Sequence, residues 1–309
     1  MKKIVSFVLI LVMAFAVVAC TPADTTKPNV ITLKGPTGMG MVYMMELDTY
    51  NFTLTSMPED IVGKLSSGEA DIAAMPINLA SVLYNKLKGG LVMIAVNTLG
   101  VLSVVENGNT INSLADLEGK KVYATGKGST PEYIISYLLE QAGVNVDIEY
   151  VAEHAELTAM LASGNAEIGI MPEPNISVAL SKNSDLRVAL SLTEQWESVC
   201  DATLVQGCIV VRREFLEAHE SVVKQFLKDY AASSAKVNKS HSTSASMIAD
   251  KGIVADKAAA ERAIPNCNIV SIMGEEMKEI SVAMFEVLIA QAPKSVGGSL
   301  PGDDFYYMP

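Results

Sequence analysis

The sequence predicts an α/β fold with two similar lobes, each built on a mostly parallel sheet flanked by helices. The first observation is a weak duplication: residues 64–76, KLSSGEADIAAMP, match residues 160–172, MLASGNAEIGIMP, at an offset of 96 residues. The second is that a strand, a glycine-rich turn and a helix precede each copy. Alternating β and α elements form parallel sheets covered by helices. A duplicated set of such elements therefore predicts two lobes.

The N-terminus predicts export and attachment to a membrane. Two lysines precede an apolar run over residues 4–18. A bilayer-spanning helix needs about 20 apolar residues, so this shorter run is typical of a cleaved signal peptide. The run ends in VVAC at Cys20, which resembles the lipobox of bacterial lipoproteins, whose cysteine carries a diacylglyceryl group. We expect a signal peptide over residues 1–19 and a lipid anchor on Cys20. An ordinary signal peptide with an incidental cysteine is the alternative.

Residues 20–28 predict a tether between this anchor and the folded body, because they are polar, include two prolines and show no periodicity. The formal net charge of the chain is −12. This charge argues against nucleic acid as a partner, since phosphate binding needs clustered Lys and Arg. No second long apolar run follows, so we expect a soluble, monomeric body outside the cytoplasmic membrane.

The elements of the first lobe begin with a strand at Val30–Leu33, followed by a glycine-rich turn and a helix through Leu47. A later helix ends on Gly68, a residue type that commonly follows the last helical turn. A short apolar strand comes next and stops at Pro76. The order strand, turn, helix and then helix, strand, proline loop is the unit that the second lobe repeats.

In the second lobe, the strand Val122–Ala124 leads through another glycine-rich turn into an amphipathic helix. Pro131 suits the first turn of this helix, which we expect to reach about Gln141. The second copy of the duplicated segment then ends a helix on Gly164 and a strand at Pro172. The two lobes therefore share one order of elements.

Two apolar runs predict where the chain crosses between the lobes, at residues 91–105 and 204–211. Apolar periodicity near 3.6 then predicts a helix over residues 212–230, and further helices are expected near residues 243–251 and 275–291. These crossings set the expected boundaries. The first lobe is predicted over residues 29–106 and 211–309, and the second over residues 107–210.

The cysteines permit one disulfide outside the cytoplasm. With Cys20 assigned to lipid, three cysteines remain, and the sequence mildly favours a pair between Cys208 and Cys267. The alternative, that these two and Cys200 are all small core residues, is equally compatible with the sequence. We expect no metal site, because the three histidines are scattered and none is spaced with cysteine as zinc ligands are. No cofactor is expected either.

Three segments carry a resemblance to a known family. Residues 113–122, SLADLEGKKV, resemble the signature that opens the second lobe in many periplasmic-type solute-binding proteins. Residues 67–76, SGEADIAAMP, resemble their G-x-x-D-(I/V)-A element, and residues 210–219, VVRREFLEAH, their return helix. The chain resembles the ABC-importer binding proteins of the NMT1-like type, related to those for sulfonates, nitrate and thiamine-pyrimidine precursors. The resemblance implies a type II periplasmic-binding-protein-like fold with two crossovers and a cleft that closes on ligand.

Candidate ligand contacts follow from the rule that ligands bind beyond the carboxyl ends of the strands in open α/β sheets. The loops at these ends carry glycines that let the backbone approach a ligand, and small polar side chains that suit orienting contacts. The candidates are Thr37, Gly38, Met39, Gly40, Pro76, Asn78, Asn97, Thr98, Lys127, Gly128, Ser129, Thr130, Glu173, Asn175 and Trp196. The alternatives are plain strand–helix turns, helix caps and, for the tryptophan, a core residue.

The charge of the ligand stays open at this point. Lys127 and the two helix N-termini favour an anion or a polar heterocycle, whereas Glu173 in the same region opposes an anion. We expect a sulfonate, a nitrogen heterocycle or a vitamin-precursor-like molecule.

The expected function is the capture of this small solute in the cleft between the lobes and its delivery to an ABC permease with its ATPase. One alternative is the binding component of an ion-driven TRAP-type transporter, because residues 37–40 faintly resemble the Thr-Gly-Gly opening of those proteins. A pyrimidine-precursor enzyme of the same fold would need a cysteine-rich active-site stretch. The sequence has no cysteine cluster, so we expect no enzyme.

Overall fold

The computed structural model describes residues 24–309. The predicted signal peptide and Cys20 lie outside the described residues. Eleven strands form within the described part. They are β1 (Asn29–Leu33), β2 (Asn51–Thr55), β3 (Ile72–Pro76), β4 (Leu91–Leu99), β5 (Leu102–Asn107), β6 (Lys121–Ala124), β7 (Asp147–Tyr150), β8 (Ile168–Pro172), β9 (Leu186–Ser191), β10 (Val205–Arg212) and β11 (Ile269–Ile272).

Helices cover these strands. The α-helices are α1 (Pro36–Met39), α2 (Pro58–Ser67), α3 (Ile77–Lys86), α4 (Thr130–Ala142), α5 (His154–Ser163), α6 (Asn175–Lys182), α7 (Leu192–Glu197), α8 (Arg213–Ala218), α9 (Glu220–Lys239), α10 (His241–Asp250), α11 (Lys257–Ala263) and α12 (Gly274–Gln291). Single 3-10 turns lie at Met44–Glu46, Leu114–Leu117, Ile264–Asn266, Pro293–Val296 and Asp303–Phe305.

The two predicted lobes are present, each with its own sheet. The first sheet has the order β11-β4-β10-β3-β1-β2 and the second β7-β6-β8-β5-β9. In each sheet three strands are parallel, β2-β1-β3 and β7-β6-β8. The strands beside them, β10 and β5, run antiparallel. The α/β fold is therefore confirmed, but both sheets are mixed, because the strands next to each crossover enter their sheets in the opposite direction.

The boundaries between the lobes differ from the expected ones. Strand β5 hydrogen-bonds to β8 and β9 of the second sheet, although it was placed in the first lobe. Strand β10 hydrogen-bonds to β3 and β4 of the first sheet, although it was placed in the second lobe. Each expected boundary fell at the far end of an apolar run. The run at residues 91–105 contains one strand for each sheet, and the chain changes lobe between them, at Gly100 and Val101.

Local signals explain most of the helix ends. The helices of the duplicated segments end where predicted, because Gly68 and Gly164 adopt left-handed conformations with φ of 79° and 75°. Two helices differ from the prediction. The one through Leu47 is only the four-residue α1 followed by turns. The one over residues 212–230 is interrupted at His219, whose φ of −134° is not helical.

The predicted disulfide is wrong, because Cys200, Cys208 and Cys267 are all free. Cys208 lies on β10 in the large core cluster that contains Trp196. Cys267 packs in a separate cluster, with its Sγ 3.8 Å from Met39 Sδ. The two thiols therefore serve as small buried side chains, and burial raises the pKa of each.

Residues 24–28, the end of the expected tether, contact the first lobe. Asp24 Oδ2 lies 2.7 Å from His219 Nδ1, and Pro28 O accepts a hydrogen bond from Asn51 N at 3.0 Å. Within residues 24–309, no helix combines the length and the apolar character needed to cross a bilayer.

Candidate ligand-binding site

The cleft edge of each lobe is formed by strand ends that the topology brings side by side. In the first sheet, Gly207 of β10 pairs with Pro76 of β3 and with Thr98 of β4. Gly207 near the start of β10 and Thr98 near the end of β4 therefore lie beside the carboxyl end of β3. In the second sheet, Leu102 of β5 pairs with Pro172 of β8 in the same way. Open α/β sheets bind ligands at this edge.

The edge of the first lobe contains an amide without hydrogen-bond partners. Within residues 24–309, both Nδ2 and Oδ1 of Asn97 lack a partner, as does Oγ1 of Thr98, and both side chains are buried. A Cβ on Gly207 would lie 2.7 Å from Asn97 Oδ1 and 3.2 Å from Thr37 Cγ2. These four residues therefore form one cluster, in which glycine leaves the amide room. Buried polar groups are nearly always paired, so this unpaired amide is a candidate contact for a ligand.

Thr37 supports this cluster but its hydroxyl is already bonded. It donates to Leu33 O at 3.2 Å and lies 3.3 Å from Thr32 Oγ1. The neighbouring Gly38 and Gly40 are buried, and Gly40 lies against Tyr230. Met39 is a core residue in contact with Cys267. The glycine-rich turn therefore forms the floor of the cluster, with Met39 pointing away into the core.

Direct contacts join the lobes across the cleft at Asn78. This buried side chain, on α3 just after Pro76, accepts a hydrogen bond from Thr130 Oγ1 of the second lobe at 3.0 Å. Its Nδ2 lies 3.4 Å from Gly128 O and 3.3 Å from Ser295 O. The loops predicted in the two lobes therefore meet.

Glu173 and His154, at the edge of the second lobe, both have hydrogen-bond partners. The Glu173 carboxylate, after β8, accepts hydrogen bonds from Ser177 N and Ser177 Oγ, both at 3.0 Å. Burial raises the pKa of Glu173 above its usual value, and Asn266 and Arg262 of the first lobe partly oppose this shift. His154 Nδ1 lies 2.7 Å from Thr125 Oγ1. Burial lowers the pKa of His154 to about 4, so its ring is neutral at pH 7.

Positive charge is absent from the buried part of the site. Glu173 is buried there, whereas no lysine or arginine among residues 24–309 is buried, and Arg262, whose charge acts on Glu173, is exposed. Lys127 and Gly128 are exposed, and Lys127 Nζ lies 5.9 Å from the centre of the Tyr150 ring. The cation that the sequence offered for an anionic ligand is therefore at the rim of the cleft.

Trp196 does not belong to the site. It is fully buried on α7, where its Nε1 donates to Ala202 O at 2.6 Å and its ring packs on Tyr137 at 4.9 Å between centres. Ser129 is the buried N-cap residue just before α4, and Asn175 is the first residue of α6. The structure thus brings Thr37, Asn97 and Thr98 together around Gly207, joins Asn78 to Thr130, and places the tryptophan in the core.

Four residues at the strand edges were missed. Gly207 and Gln206 lie inside an apolar run that was interpreted only as a crossover, and Gln206 Oε1 accepts from Val101 N at 3.3 Å between the lobes. Thr125 follows β6 directly, and His154 comes soon after β7, as the first residue of α5. Applying the strand-end rule to every strand would have found these two. Gly207 needed the pairing of β10 with β4, which the sequence does not reveal.

Two surface grooves open beside the hinge. One of about 660 Å³ lies between α4 and α12, and one of about 420 Å³ lies next to the crossover at Gly100. None of the predicted ligand-binding residues lines either groove. The polar cluster at the strand edges, which carries the unpaired amide, is therefore the better candidate site.

The family follows from a comparison with known sequences. A family model described as "ABC transporter, phosphonate, periplasmic substrate-binding protein" matches residues 49–257, more than half of the chain. The chain belongs to this family. It is therefore an ABC-importer solute-binding protein, as its sequence motifs implied, and nothing favours the ion-driven alternative. No curated protein sequence matches it significantly.

Solved structures of solute-binding proteins share the fold of this binding protein. An ABC transporter protein from Parabacteroides distasonis is 23% identical with a TM-score of 0.77, covering 93% of this chain and 99% of the other. The aliphatic sulphonate binding protein SsuA from Escherichia coli is 17% identical with a TM-score of 0.71, covering 92% of both chains. The nitrate-binding protein NrtA from Synechocystis PCC 6803 is 13% identical with a TM-score of 0.58, covering 73% and 66%. At these identities the likeness shows the two-lobed fold.

Proposed function

We propose that this binding protein captures a small polar solute between the two strand edges and closes its lobes over it. Asn97, Thr98 and Thr37 would line the side of the first lobe, and Thr130 and Glu173 that of the second. The observation that carries this proposal is the unpaired, buried amide of Asn97 at the cleft edge. A ligand that pairs with this amide would remove the cost of leaving it unsatisfied, which is about 1–3 kcal/mol.

Lobe closure is part of the proposal because the helix ends in the cleft are weak contributors. A charge at a helix N-terminus contributes up to about 2 kcal/mol, whereas micromolar affinity needs about 8 kcal/mol. Helix α1 has only four residues, so its dipole is small. Contacts from both lobes, with water excluded between them, would supply the remainder. Hinge closure of this kind is an established response of two-lobed binding proteins to ligand.

We propose further that the protein binds its solute without changing it. Membership of a substrate-binding family supports this proposal. The pairing of the His154 ring with the Thr125 hydroxyl, rather than with a carboxylate that would activate it as a base, supports it too. Mass spectrometry of the solute recovered after prolonged incubation with the protein should return the original mass. A modified product would contradict the proposal.

The proposed location is outside the cytoplasmic membrane, with Cys20 acylated. The contact between Asp24 and His219 supports a short link, because it holds the chain against the first lobe only four residues after Cys20. A Cys20→Ala variant should lose incorporation of labelled palmitate and appear in the soluble fraction. The control is the Cys200→Ala variant, which alters a cysteine that is free in the folded body and should remain with the membrane.

Ligand-induced thermal stabilisation tests the binding proposal, because a ligand that binds the native state raises its melting temperature. The processed chain with Cys20→Ala would be screened against phosphonates, sulfonates, nitrogen heterocycles, vitamin precursors and amino acids. We expect at least one class to stabilise it, and expect that stabilisation to be lost in Asn97→Ala. Stabilisation that Asn97→Ala retains in full would place the site elsewhere.

A further inference from the structure

We infer that the cleft takes an uncharged solute that presents a hydrogen-bond donor next to an acceptor, as a carboxamide, lactam or ureide does, and that it rejects oxyanions. This inference rests on the proposed function, since it assigns a ligand class to the same cleft. It differs from the phosphonate, sulphonate and nitrate ligands in the descriptions of the family and of the relatives.

The first argument is the demand of the Asn97 side chain. Its Nδ2 needs an acceptor and its Oδ1 needs a donor, and within residues 24–309 neither atom has one. Rotating the amide by 180° exchanges the two atoms but leaves the same demand. A sulfonate, a nitrate or a fully ionised phosphonate offers acceptors only, and a phosphonate that keeps one P–O–H donor is still an anion. Each of these anions would satisfy Nδ2 and bring negative charge close to Oδ1, whereas an amide or lactam edge satisfies both.

The second argument is that the neighbouring groups do not replace the missing donor. The Thr37 hydroxyl donates to Leu33 O, so its proton is already engaged. The Thr98 hydroxyl is unpaired and can donate once. Gly207 has no side chain, and Asn97 Oδ1 packs so close to its backbone that a Cβ there would lie only 2.7 Å away. The wall of the first lobe therefore offers a ligand one amide and one hydroxyl, a mixed donor and acceptor surface.

The third argument is the charge of the opposite wall. Glu173 is a buried carboxyl that the second lobe brings close to Cys267 of the first. Arg262 lies near enough to Glu173 to oppose the rise in its pKa, but it is exposed, and no lysine or arginine in the described part of the chain is buried to balance a second negative group. Taking an ion out of water without a paired counter-charge costs several kcal/mol. A neutral ligand avoids this cost and can also hydrogen-bond to the Glu173 carboxyl.

The test compares matched panels by thermal shift and calorimetry at fixed pH and ionic strength. One panel holds carboxamides, pyrimidine lactams and cyclic ureides. The second holds alkanesulfonates, alkylphosphonates and nitrate, and the third holds alkylamines. We expect binding from the first panel, and expect Asn97→Asp to weaken it about 10- to 100-fold, because the carboxylate offers acceptors only. Asn165→Asp, an exposed position after α5, should leave the affinity unchanged.

The outcomes separate the inference from the proposed function. Tight binding of a sulfonate, phosphonate, nitrate or amine that Asn97→Ala abolishes would overturn the inference and support capture in the cleft. Binding of a neutral solute that neither Asn97→Asp nor Asn97→Ala weakens would overturn the role given to Asn97. Binding by no member of any panel would overturn both. Circular dichroism of each variant without ligand checks that it is folded.

Discussion

The two walls of the cleft differ in how their polar groups are satisfied. On the first lobe, the Asn97 amide and the Thr98 hydroxyl are buried without partners. On the second lobe, Glu173 is bonded to Ser177 and His154 to Thr125. The difference indicates a division of labour. We propose that the first lobe keeps its unpaired groups for the ligand, while the second lobe, whose Glu173 is paired with Ser177 and with Asn266 of the first lobe, covers it.

This comparison predicts two kinds of mutational effect. Changes at residues that are satisfied within the protein should cost stability, because each leaves a cavity or an unpaired partner. Changes at the unpaired residues of the first lobe should cost affinity and leave stability equal or higher. Variants of both kinds therefore test whether the two walls differ in this way.

The largest effect is expected at Trp196, in the core of the second lobe. Trp196→Ala removes a fully buried ring that packs on Tyr137 and donates to Ala202 O. We expect the free energy of unfolding to fall by about 3–5 kcal/mol, measured by urea denaturation. The dissociation constant of the ligand, measured for the folded fraction at low temperature, should be unchanged. Weaker ligand binding with an unchanged free energy of unfolding would instead show that Trp196 contacts the ligand.

Trp196 also shows why part of the site could not be predicted. The sequence showed a single tryptophan near a crossover, a position that is more often a core residue than a ligand platform but fits both. What decides between them is the contact with Ala202 and Tyr137, and Tyr137 is far away in sequence. By contrast, the loops at Thr37 and Thr130 were predictable, because a strand followed by a glycine-rich turn and a helix fixes their position at the sheet edge.

The next effect is a pH dependence of stability from His154 in the second lobe. Burial lowers its pKa from 6.5 to about 4, so the unfolded chain binds this proton more readily than the folded one. The contribution of neutral His154 to the free energy of unfolding is therefore complete above pH 6.5 and is lost as the pH falls towards 4. At about 1.4 kcal/mol for each pKa unit, the loss is roughly 3 kcal/mol.

His154→Gln should flatten the curve of melting temperature against pH between 6.5 and 4. Glu173, whose raised pKa tilts the same curve in the opposite direction above pH 4.5, is present in both proteins and cancels from the difference. His241→Gln, in the first lobe, is the matched control and should follow the wild type. If His154→Gln also follows the wild type, His154 is not held neutral by the fold.

A smaller effect, with the opposite sign for stability, is expected at Thr98 on the first lobe. Thr98→Val keeps the shape of the side chain and removes a buried hydroxyl that lacks a partner. The protein without ligand should gain about 1 kcal/mol in unfolding free energy, since the cost of that unpaired group disappears. Ligand affinity should fall about tenfold, the loss of one hydrogen bond. A variant that loses stability would show that the hydroxyl is satisfied in solution.

The unpaired groups mark the limit of what the sequence reveals. Asn97 and Thr98 were predicted as ligand contacts because they are polar residues in an apolar crossover run. Their lack of partners is a tertiary property, set by the pairing of β4 with β10 and by the absence of a side chain at Gly207. The expected lobe boundaries were wrong for the same reason, since the hydrogen-bonding partners of a strand, rather than apolar runs in the sequence, decide which sheet it joins.

The smallest effect is expected at Thr130, where the two walls meet. Its hydroxyl donates to Asn78 Oδ1 at 3.0 Å across the cleft, and Thr130→Val would leave that oxygen unpaired only while the lobes touch. The closed form should lose about 1 kcal/mol relative to the open form, in which water can hydrate Asn78. Apparent ligand affinity should then fall about fivefold, because fewer molecules are closed.

Calorimetry measures this change in affinity, and small-angle scattering should show a larger radius of gyration for Thr130→Val without ligand. Thr53→Val, at an exposed position on β2, is the matched control. If Thr130→Val changes stability as Trp196→Ala does, with affinity preserved, this hydroxyl supports the second lobe alone. If it lowers affinity with stability preserved, the hydrogen bond between Asn78 and Thr130 stabilises the closed form. The second lobe then contributes to binding through closure, and the first lobe through direct contacts with the ligand.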